Sequence, residues 1–581
     1  MTRADRRGRA RSLAVVLVAL LATACSVLSP STGRPGEQPG SGTASPSPTA
    51  AVSSATESAL AGTRPNVLVI ETDDMRVDDL RFMPHVRRLI QRRGLSFENS
   101  FAPNPLCCPS RASFLSGQYS HNHAVLSHQR PYGFSAFDDS DTLATRLEAA
   151  GYQTALIGKY LNYYGERPVH GTGEPSLHYV PPGWTQWYGS TDHVFPRSSP
   201  LRGGTYNYFH LTSNVNGKLR TWPGQYTTVV TAGQATRLAE RFAEDPEQRP
   251  WFVWWNPVAP HHGFPFEADD VVRLRQTNGV VRRWLSPVRP DWIKGAYDDQ
   301  VPRGAGVPPT GDPEPDRTDK PDYLSRLPPL SAAELTAEQS LTRQRAEALG
   351  VLDRQIGKLL HRLRDDGALD GTIVVFTSDN GFYLGEHDKR FGKITPHEPS
   401  IRVPLMITGP GIPRGHRYDP VATIDLAPTF AAWAGTDLKD PDGIDLSATI
   451  ESGDVGWQRP ILLEGVMEEP GYPGALTIAG EQRLSIVGVR LGRWKLMLYS
   501  TGETEWYDLE KDPLEMESIP ADRVPAEVAD QLRTLLGDQV ACAGDSCRVP
   551  LPASLTLDPD TNRELTRRQA RATQAYYQVG R

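Results

Sequence analysis

The chain has 581 residues, 38% hydrophobic and 23% charged, a composition that excludes a disordered or membrane-embedded protein. Its net charge of -7, from 62 basic and 69 acidic residues, gives no electrostatic basis for binding nucleic acid. The length suffices for one large domain and a smaller one, because single hydrophobic cores stop growing near about 250–300 residues.

The first 24 residues have the pattern of a secretory signal peptide. Five arginines precede an apolar run, Leu13 to Ala24, which is too short to span a bilayer and ends in small residues. The segment Leu-Ala-Thr-Ala-Cys at 21–25 also resembles a bacterial lipobox, in which Cys25 would carry a lipid anchor. Residues 25–63 are rich in Ser, Pro, Thr, Gly and Ala and predict a flexible tether. We therefore expect an exported protein, and favour a cell-surface lipoprotein over a freely secreted form.

Strands and helices alternate from residue 64 onward. Short apolar runs predict strands buried on both faces, and apolar residues at three-four spacing followed by glycine predict amphipathic helices. The predicted strands are 66–70, 153–157 and 372–376, and the predicted helices are 84–93, 141–150 and 349–363. This alternation predicts an α/β fold, with a mostly parallel central sheet and helices on both faces. Residues 264–329, dense in proline and charge, predict a long surface excursion.

The pattern changes beyond about residue 455. Short alternating strands at 484–489, 494–499 and 505–509, with a helix at about 525–536, predict a small antiparallel sheet plus helix. We therefore divide the chain into a main domain, 64–455, and a C-terminal subdomain, 456–581. Cys542 and Cys547 lie close together in sequence, and in an oxidising compartment we expect them to form a disulfide.

Polar side chains follow two of the predicted strands. Asp73 and Asp74 come after the first strand, and Asp379 and Asn380 come after the strand at 372–376. Either pair alone is as typical of a turn or a helix cap as of a metal site. Ligands collect beyond the carboxyl ends of parallel strands, however, and four hard oxygen donors suit Ca²⁺ or Mg²⁺ better than zinc. Together the two pairs predict a metal site.

Cys107 and Cys108 are adjacent, and neighbouring cysteines rarely bridge each other. The segment Cys107-Cys-Pro-Ser-Arg111, followed by a run of small residues ending in Gly117, matches the sulfatase signature Cys-x-Pro-Ser-Arg. The chain resembles the formylglycine-dependent (type I) sulfatases of the alkaline-phosphatase-like superfamily. In that family a formylglycine-generating enzyme oxidises the first signature cysteine to an aldehyde. The resemblance therefore implies formylglycine at Cys107 and this enzyme as a partner during maturation.

The resemblance extends over residues 64 to about 520. The further matching segments are Asp73-Asp74, Gly158-Lys159, Ala259-Pro-His261, Ser378-Asp-Asn-Gly381, Gly392-Lys393 and Trp506-Tyr-Asp-Leu509. It implies an alkaline-phosphatase-like fold and a bound Ca²⁺, with Mg²⁺ less favoured. The implied metal ligands are Asp73, Asp74, Asp379, Asn380 and residue 107, and the implied catalytic residues are Cys107, Arg111, Lys159, His261 and Lys393.

The likeness is greatest to N-acetylglucosamine-6-sulfatases and extracellular endosulfatases. It rests on Cys107-Cys108-Pro109, His121-Asn-His123, the segment 158–162 and Pro182-Gly-Trp184. This likeness implies a sulfated carbohydrate substrate. One departure is Leu161, which occupies the position where many sulfatases carry a histidine, a proposed base for releasing sulfate. The base is left unnamed, with three candidate histidines: His121, His123 and His387.

The implied mechanism begins with attack on sulfur by one hydroxyl of the hydrated aldehyde at residue 107. His261 protonates the leaving alcohol, and three cations, Arg111, Lys159 and Lys393, offset the developing negative charge. Seven aromatic residues are candidate sugar-stacking surfaces, although such residues are more often core: Trp184, Trp187, Tyr188, Tyr206, Tyr208, Trp254 and Trp255. Two alternatives stay open, a phosphonate or phosphate ester hydrolase of the same superfamily and an inactive surface module that binds glycans.

Overall fold

The computed structural model describes residues 59–271, 274–275, 281–282, 284–466 and 485–578. The predicted signal peptide, Cys25 and most of the predicted tether lie outside these residues, as does the first residue of the strand predicted at 484–489. Within the described ranges, no helix has both the length and the apolar character needed to cross a membrane.

A sheet of ten strands forms the centre of the molecule. Its order is β13-β2-β12-β11-β1-β8-β4-β5-β6-β7. The strands are β1 Asn66–Thr72, β2 Leu95–Phe97, β4 Gln153–Gly158, β5 Gln186–Ser190, β6 His210–Val215, β7 Lys218–Pro223, β8 Trp251–Asn256, β11 Thr372–Ser378, β12 Leu405–Thr408 and β13 Gly415–Arg417. The five central strands, β11-β1-β8-β4-β5, are all parallel. The predicted α/β fold with a mostly parallel sheet is confirmed.

Hydrophobic residues on both faces of β1 explain why this strand is central. Val67 and Val69 belong to the core cluster on one face, while Leu68 and Ile70 belong to the cluster on the other. Successive side chains of a strand point to opposite faces, so a continuous apolar run suits a strand covered on both sides. Helices pack on both faces. The helices up to residue 455 are α1 Pro84–Val86, α2 Cys107–Ser116, α3 Ser120–His123, α4 Leu143–Ala149, α5 Thr227–Ala243, α6 Asp322–Ser325, α7 Ala332–Asp365, α8 Glu398–Ile401, α9 Leu426–Ala434 and α10 Ser447–Ser452. Helices α2, α4 and α9 lie in the cluster of one face, and α5 and α7 lie in that of the other.

Two predicted helices differ in extent from the observed ones. The helix predicted at 349–363 is the last part of α7, which has 34 residues and begins after Ser331, where a capping box with Glu334 satisfies the first turn. The helix predicted at 84–93 is instead α1 followed by one π-helical turn over Arg87–Gln91. The described part of the excursion at 264–329 holds only short elements, among them α6 and the two-residue strands β9 Leu274–Arg275 and β10 Val281–Arg282. The prediction that it runs over the surface is wrong for part of this range, because Trp284, Val288 and Arg289 are buried.

A second sheet lies in the C-terminal part, as predicted. It contains four antiparallel strands, β15 Ile461–Gly465, β16 Ile486–Arg490, β17 Trp494–Tyr499 and β18 Thr504–Asp508, and it is followed by α11 Ala526–Val540 and α12 Pro559–Tyr577. Strand β15 and helix α12 are absent from the prediction. The expected disulfide between Cys542 and Cys547 is present. This sheet shares a hydrophobic cluster with Phe101, Tyr119 and Ile401 of the main domain, and the domain boundary at residue 455 stays a prediction.

Two further strands pair away from the large sheet. They are β3 Ser100–Phe101 and β14 Val421–Ala422, which are parallel to each other. Strand β3 precedes Cys107 by only a few residues, so this pairing helps to fix the start of α2.

Candidate active site

The carboxyl ends of four neighbouring strands supply most of the candidate site. Asp73 and Asp74 follow β1, and Asp379 and Asn380 follow its parallel neighbour β11, where Thr72 is paired with Ser378. His261 lies beyond the end of β8, and Lys159 follows β4 directly. The sequence-based expectation that these side chains meet at one edge of the sheet agrees with the observed geometry.

Cys107 is the first residue of α2 and is completely buried. Its Sγ lies 3.2 Å from Asp73 Oδ1, 3.8 Å from Asp74 Oδ1 and 2.6 Å from Lys393 Nζ. The helix ends at Gly117, whose φ of 71° suits a left-handed cap. The N-terminus of a helix favours negative charge, so residue 107 stands where an anion is stabilised.

Oxygen donors around Cys107 are suited to a hard cation. Ligand atoms of Asp73, Asp74, Cys107 and His261 all lie within 4.8 Å of one another. Two buried oxygens nearby, Asp74 Oδ2 and Asn380 Oδ1, have no hydrogen-bond partner among the described residues. A buried carboxylate oxygen without a donor is unfavourable unless a cation neutralises it. The residues therefore fit a Ca²⁺ or Mg²⁺ ion.

Asp379 is held by two donors. Arg111 Nε lies 2.9 Å from Asp379 Oδ2, and the backbone N–H of Asp74 donates to Asp379 Oδ1 at 3.1 Å. Asp74 has a φ of 68°, in the left-handed region that non-glycine residues seldom occupy. This turn directs its N–H at Asp379 and its side chain at Cys107 and Lys393.

Three cations surround the cluster, of which Arg111 and Lys159 are buried and Lys393 is half-buried. Lys159 Nζ lies 2.7 Å from Asp73 Oδ2, Lys393 contacts Asp74 and Cys107, and Arg111 pairs with Asp379. Burial by itself would lower the pKa of Lys159, but the charge of Asp73 outweighs it and raises that pKa above its ordinary value. The pKa of Lys393 is raised in the same way by Asp74. All three cations therefore keep their charge at neutral pH.

The loop that carries Lys393 is strained and tied to the Cys107 segment. Ile394 has a φ of 88°, an unfavourable conformation for a β-branched residue, and its N–H donates to the Pro105 carbonyl at 3.1 Å. Such strain is common where a functional side chain must be held in one place. The same hydrogen bond fixes Lys393 relative to Cys107.

The protonation of Cys107 and His261 follows from their surroundings. Burial and the charges of Asp379 and Asp73 raise the pKa of the Cys107 thiol well above its ordinary value, so the thiol itself is a poor nucleophile. Burial lowers the pKa of His261 to about 3. Its Nδ1 lies 2.8 Å from the His262 carbonyl, which only accepts, so Nδ1 carries the proton. The other ring nitrogen, Nε2, lies 3.7 Å from Asp74 Oδ2.

All the site residues predicted from the sequence lie in this one cluster, but the candidate histidines for the base do not. His121 contacts Glu464 at 2.8 Å, His123 contacts Ser113 at 2.9 Å, and His387 contacts Glu314 at 2.7 Å. Five of the seven candidate stacking residues are buried in the core: Trp184, Trp187, Tyr208, Trp254 and Trp255. Tyr188 and Tyr206 are half-buried.

Two residues near the site have no assigned role in the sequence analysis. Glu71 accepts a hydrogen bond from Trp254 Nε1 at 2.6 Å and lies 4.0 Å from Arg111, and burial raises its pKa to about 7. His128 is half-buried, and burial together with the charges of Lys393 and Lys159 lowers its pKa well below its ordinary value. Glu71 could have been found from its place at the end of β1, whereas no motif marks His128.

Comparison with known families matches residues 65–436 to the sulfatase family and residues 384–541 to the C-terminal region of N-sulphoglucosamine sulphohydrolase. The N-acetylglucosamine-6-sulfatase of Homo sapiens is 28% identical over 527 residues, which cover 84% of this chain and 87% of that protein.

The fold is also similar to that of solved structures. One is an enzyme in complex with its substrate D-glucosamine-2-N,6-O-disulfate, with a TM-score of 0.58 and 22% identity over 84% of this chain and 98% of that chain. Another is a phosphonate monoester hydrolase from Silicibacter pomeroyi, with a TM-score of 0.58 and 19% identity over 85% and 99%. At these identities the likeness concerns the fold alone. Because the sulfatase match spans more than half of the chain, the protein belongs to the sulfatase family and is an enzyme that hydrolyses sulfate esters.

Proposed function

We propose that this sulfatase removes the sulfate ester from a sulfated carbohydrate, with a formylglycine at Cys107 as the nucleophile. The observation that carries the proposal is the position of Cys107, whose Sγ lies between Asp73 at 3.2 Å and Lys393 at 2.6 Å. The Sγ atom stands where an oxygen of the hydrated aldehyde would be. One such hydroxyl attacks sulfur as the ester oxygen leaves, and the second then loses its proton so that the aldehyde re-forms and sulfate departs.

The proposal includes a Ca²⁺ ion held by Asp73, Asp74, Asp379, Asn380 and residue 107. It rests on the two buried oxygens that lack a donor and on the hard-oxygen character of the set. A bound divalent ion would make a hydroxyl of residue 107 more acidic and offset the charge of the sulfate. We propose Ca²⁺ rather than Mg²⁺ because the resemblance to the formylglycine-dependent sulfatases implies Ca²⁺.

The surrounding side chains would stabilise negative charge on the sulfate and supply a proton to the leaving group. Arg111, Lys159 and Lys393 keep positive charges beside residue 107 and would offset the charge that develops on the sulfate oxygens. His261 would protonate the leaving alcohol through Nε2. That role requires a pKa well above the value of about 3 that burial produces, and the negative charge of a bound sulfate ester acts in this direction.

A sulfated carbohydrate is proposed because of the relatives. The human relative is named for a sulfated N-acetylglucosamine, and the enzyme of the solved complex acts on a disulfated glucosamine. Export is part of the same proposal, and the disulfide between Cys542 and Cys547 supports an oxidising compartment. A lipid anchor at Cys25 and maturation by a formylglycine-generating enzyme complete the proposal.

The deciding experiment combines mass spectrometry with kinetics. In protein produced by its own host, the peptide containing residue 107 should have the mass of formylglycine, and the enzyme should hydrolyse an aryl sulfate. Cys107→Ala should lose this activity while remaining folded. The matched control is Cys108→Ala at the next buried position, which should keep most of it. Full activity with an unmodified thiol would refute the proposed nucleophile.

The fold likeness to a phosphonate monoester hydrolase keeps that activity as a second candidate. Rates on matched aryl sulfate, aryl phosphate and aryl phosphonate substrates separate the two. We expect kcat/KM to be greatest for the sulfate. A higher value for the phosphonate would assign the second activity instead.

A further inference from the structure

Tyr206, in the loop between β5 and β6, lies directly against the proposed catalytic residues. Its ring centroid is 4.8 Å from that of His261, and Lys159 Nζ is 5.4 Å from the same centroid. The ring of His262 is nearly parallel to it, with 6.4 Å between centroids and 12° between planes. Among the seven aromatic residues considered from the sequence, it alone makes ring contact with the proposed catalytic side chains.

The hydroxyl of Tyr206 has a defined hydrogen-bonding state. Asn162 Nδ2 donates to the phenol oxygen at 2.7 Å, so this oxygen is the acceptor in that bond. No described residue lies within hydrogen-bond distance as an acceptor for the phenol's own proton. Burial, with the charges of Asp192 and Asp73, raises the pKa of Tyr206 well above its ordinary value, so the proton stays on the oxygen. The hydroxyl is a neutral donor whose proton is still available.

The segment that carries Asn162 is fixed by a strained turn. Asn162 is only 7% exposed, and the next residue, Tyr163, has a φ of 69°. The left-handed conformation is unfavourable for an aromatic residue. Asp192 stabilises the turn by accepting the Tyr163 N–H at 2.8 Å. Lys159 lies only three residues before Asn162, so one short segment places both the active-site cation and the donor to Tyr206.

We propose that Tyr206 determines specificity by donating a hydrogen bond to an oxygen of the sugar ring that carries the sulfate ester, and that Asn162 is its positioning residue. This inference rests on the proposed function, because it takes the substrate to be a sulfated sugar. A simple aryl sulfate has no ring oxygen or hydroxyl to accept this bond. Tyr206 should therefore affect the hydrolysis of sugar sulfates and leave that of aryl sulfates nearly unchanged.

The test compares Tyr206→Phe with the wild type, both as matured, calcium-loaded enzyme. The substrates are 4-nitrophenyl sulfate and the sulfated monosaccharide that the wild type hydrolyses fastest in a panel of 2-, 4- and 6-sulfated hexosamines. Losing one neutral hydrogen bond should lower kcat/KM for the sugar about five- to tenfold, mainly through KM. The value for 4-nitrophenyl sulfate should change less than about twofold.

Two further variants separate a positioning role from a structural one. Asn162→Leu should reduce kcat/KM for the sugar in the same way, and combining it with Tyr206→Phe should add little, because both changes remove one interaction. The matched control is Tyr188→Phe, since Tyr188 is half-buried and packs against the same hydrophobic cluster as Tyr206, but only Tyr206 has ring contacts with His261 and Lys159. It should leave both substrates unaffected.

Each contrary result has its own meaning. Equal losses on the two substrates, or no loss on either, would overturn the role of Tyr206 alone. A wild-type enzyme that hydrolyses 4-nitrophenyl sulfate but no sulfated sugar would overturn both this role and the proposed substrate class. An enzyme inactive on 4-nitrophenyl sulfate despite complete formylglycine conversion would contradict the proposed function itself.

Discussion

Each charged side chain of the active site has a partner of opposite sign. Arg111 is the most deeply placed of the cations, with no exposed surface, and it contacts Asp379 at 2.9 Å, Glu71 at 4.0 Å and the Lys159 carbonyl at 3.4 Å. Removing one member of a buried ion pair leaves the other charge without compensation, which costs about 3–5 kcal/mol. Stability and activity are therefore linked at this residue.

Arg111→Met should lower the free energy of unfolding by about 3–5 kcal/mol, because Asp379 and Glu71 lose their buried cation. It should also lower kcat/KM for an aryl sulfate. Denaturant unfolding followed by fluorescence measures the first effect. The control is Arg326→Met, since Arg326 pairs with Asp322 on the surface and is 74% exposed, and exposed pairs contribute about 0–1 kcal/mol. If the two variants lost similar amounts of unfolding free energy, the burial of the Arg111 ion pair would not be the cause.

Calcium should stabilise the folded enzyme independently of turnover. The folded site brings together the carboxylates of Asp73 and Asp74, with Asp379 beside Asp74, and the unfolded chain does not, so binding raises Tm with calcium concentration. We expect a rise of several degrees on adding Ca²⁺ to chelator-treated protein, a smaller one with Mg²⁺, and recovery of activity with Ca²⁺. A Tm that does not change when calcium is added would contradict the proposed calcium site. Asp379→Asn should reduce the rise.

At the scale of elements, the end of β4 controls the position of Lys159. Gly158 has a φ of 98°, and a Cβ built there would lie 2.1 Å from the backbone oxygen of Asn256 in β8. Only glycine allows the two strands to approach this closely while the chain turns toward Asp73.

Gly158→Ala should therefore destabilise the protein and lower kcat, because β4 must shift away from β8 and move Lys159 with it. We expect a loss of about 2–4 kcal/mol in unfolding free energy, from strain and overpacking together. Gly224→Ala is the control, since Gly224 has a φ of 73° but nothing within 4 Å of the added Cβ. If Gly224→Ala reduced stability and kcat equally, the close approach of the strands would not be the cause.

The parts of the site that were predictable from the sequence are those that the sheet itself positions. Asp73, Asp74, Asp379 and Asn380 follow buried strands, and parallel pairing of β1 with β11 brings them together. The positions of the candidate histidines instead depend on contacts between segments that are distant in the sequence. His121 contacts Glu464 of β15, an unpredicted strand, and Tyr206 lies in a loop whose path no periodicity describes. Local patterns predict elements, but contacts between distant loops depend on the complete fold.

At the scale of the whole molecule, His121 joins the main domain to the C-terminal part. Its Nδ1 lies 2.8 Å from Glu464 Oε1, and its Nε2 lies 2.9 Å from the carbonyl oxygen of Cys542, next to the disulfide. A carbonyl and a carboxylate both accept, so this arrangement requires both ring nitrogens to carry protons. The charged imidazolium is thus the form that fits between the two parts.

The stability of the molecule should depend on pH through His121. Burial would lower the pKa of His121, but the hydrogen bond and charge of Glu464 outweigh it and raise this pKa to about 9. A raised pKa means that the folded state holds the proton more tightly than the unfolded state, whose value is about 6.5. The contribution is therefore complete below about pH 6.5 and is lost as pH rises toward 9.

The contribution of His121 can be measured by denaturant unfolding of the wild type and of His121→Gln from pH 6 to 9.5. It is the difference between the unfolding free energies of the two proteins at each pH. The wild type should be the more stable by about 2–3 kcal/mol near pH 6, and the difference should shrink steadily above pH 6.5. His178→Gln is the control, because His178 Nδ1 donates to the Gly217 carbonyl at 3.0 Å in an exposed contact that joins no two parts of the molecule. A difference that stayed constant across this range would mean that His121 joins the two parts as a neutral ring, held by packing and hydrogen bonds without its charge.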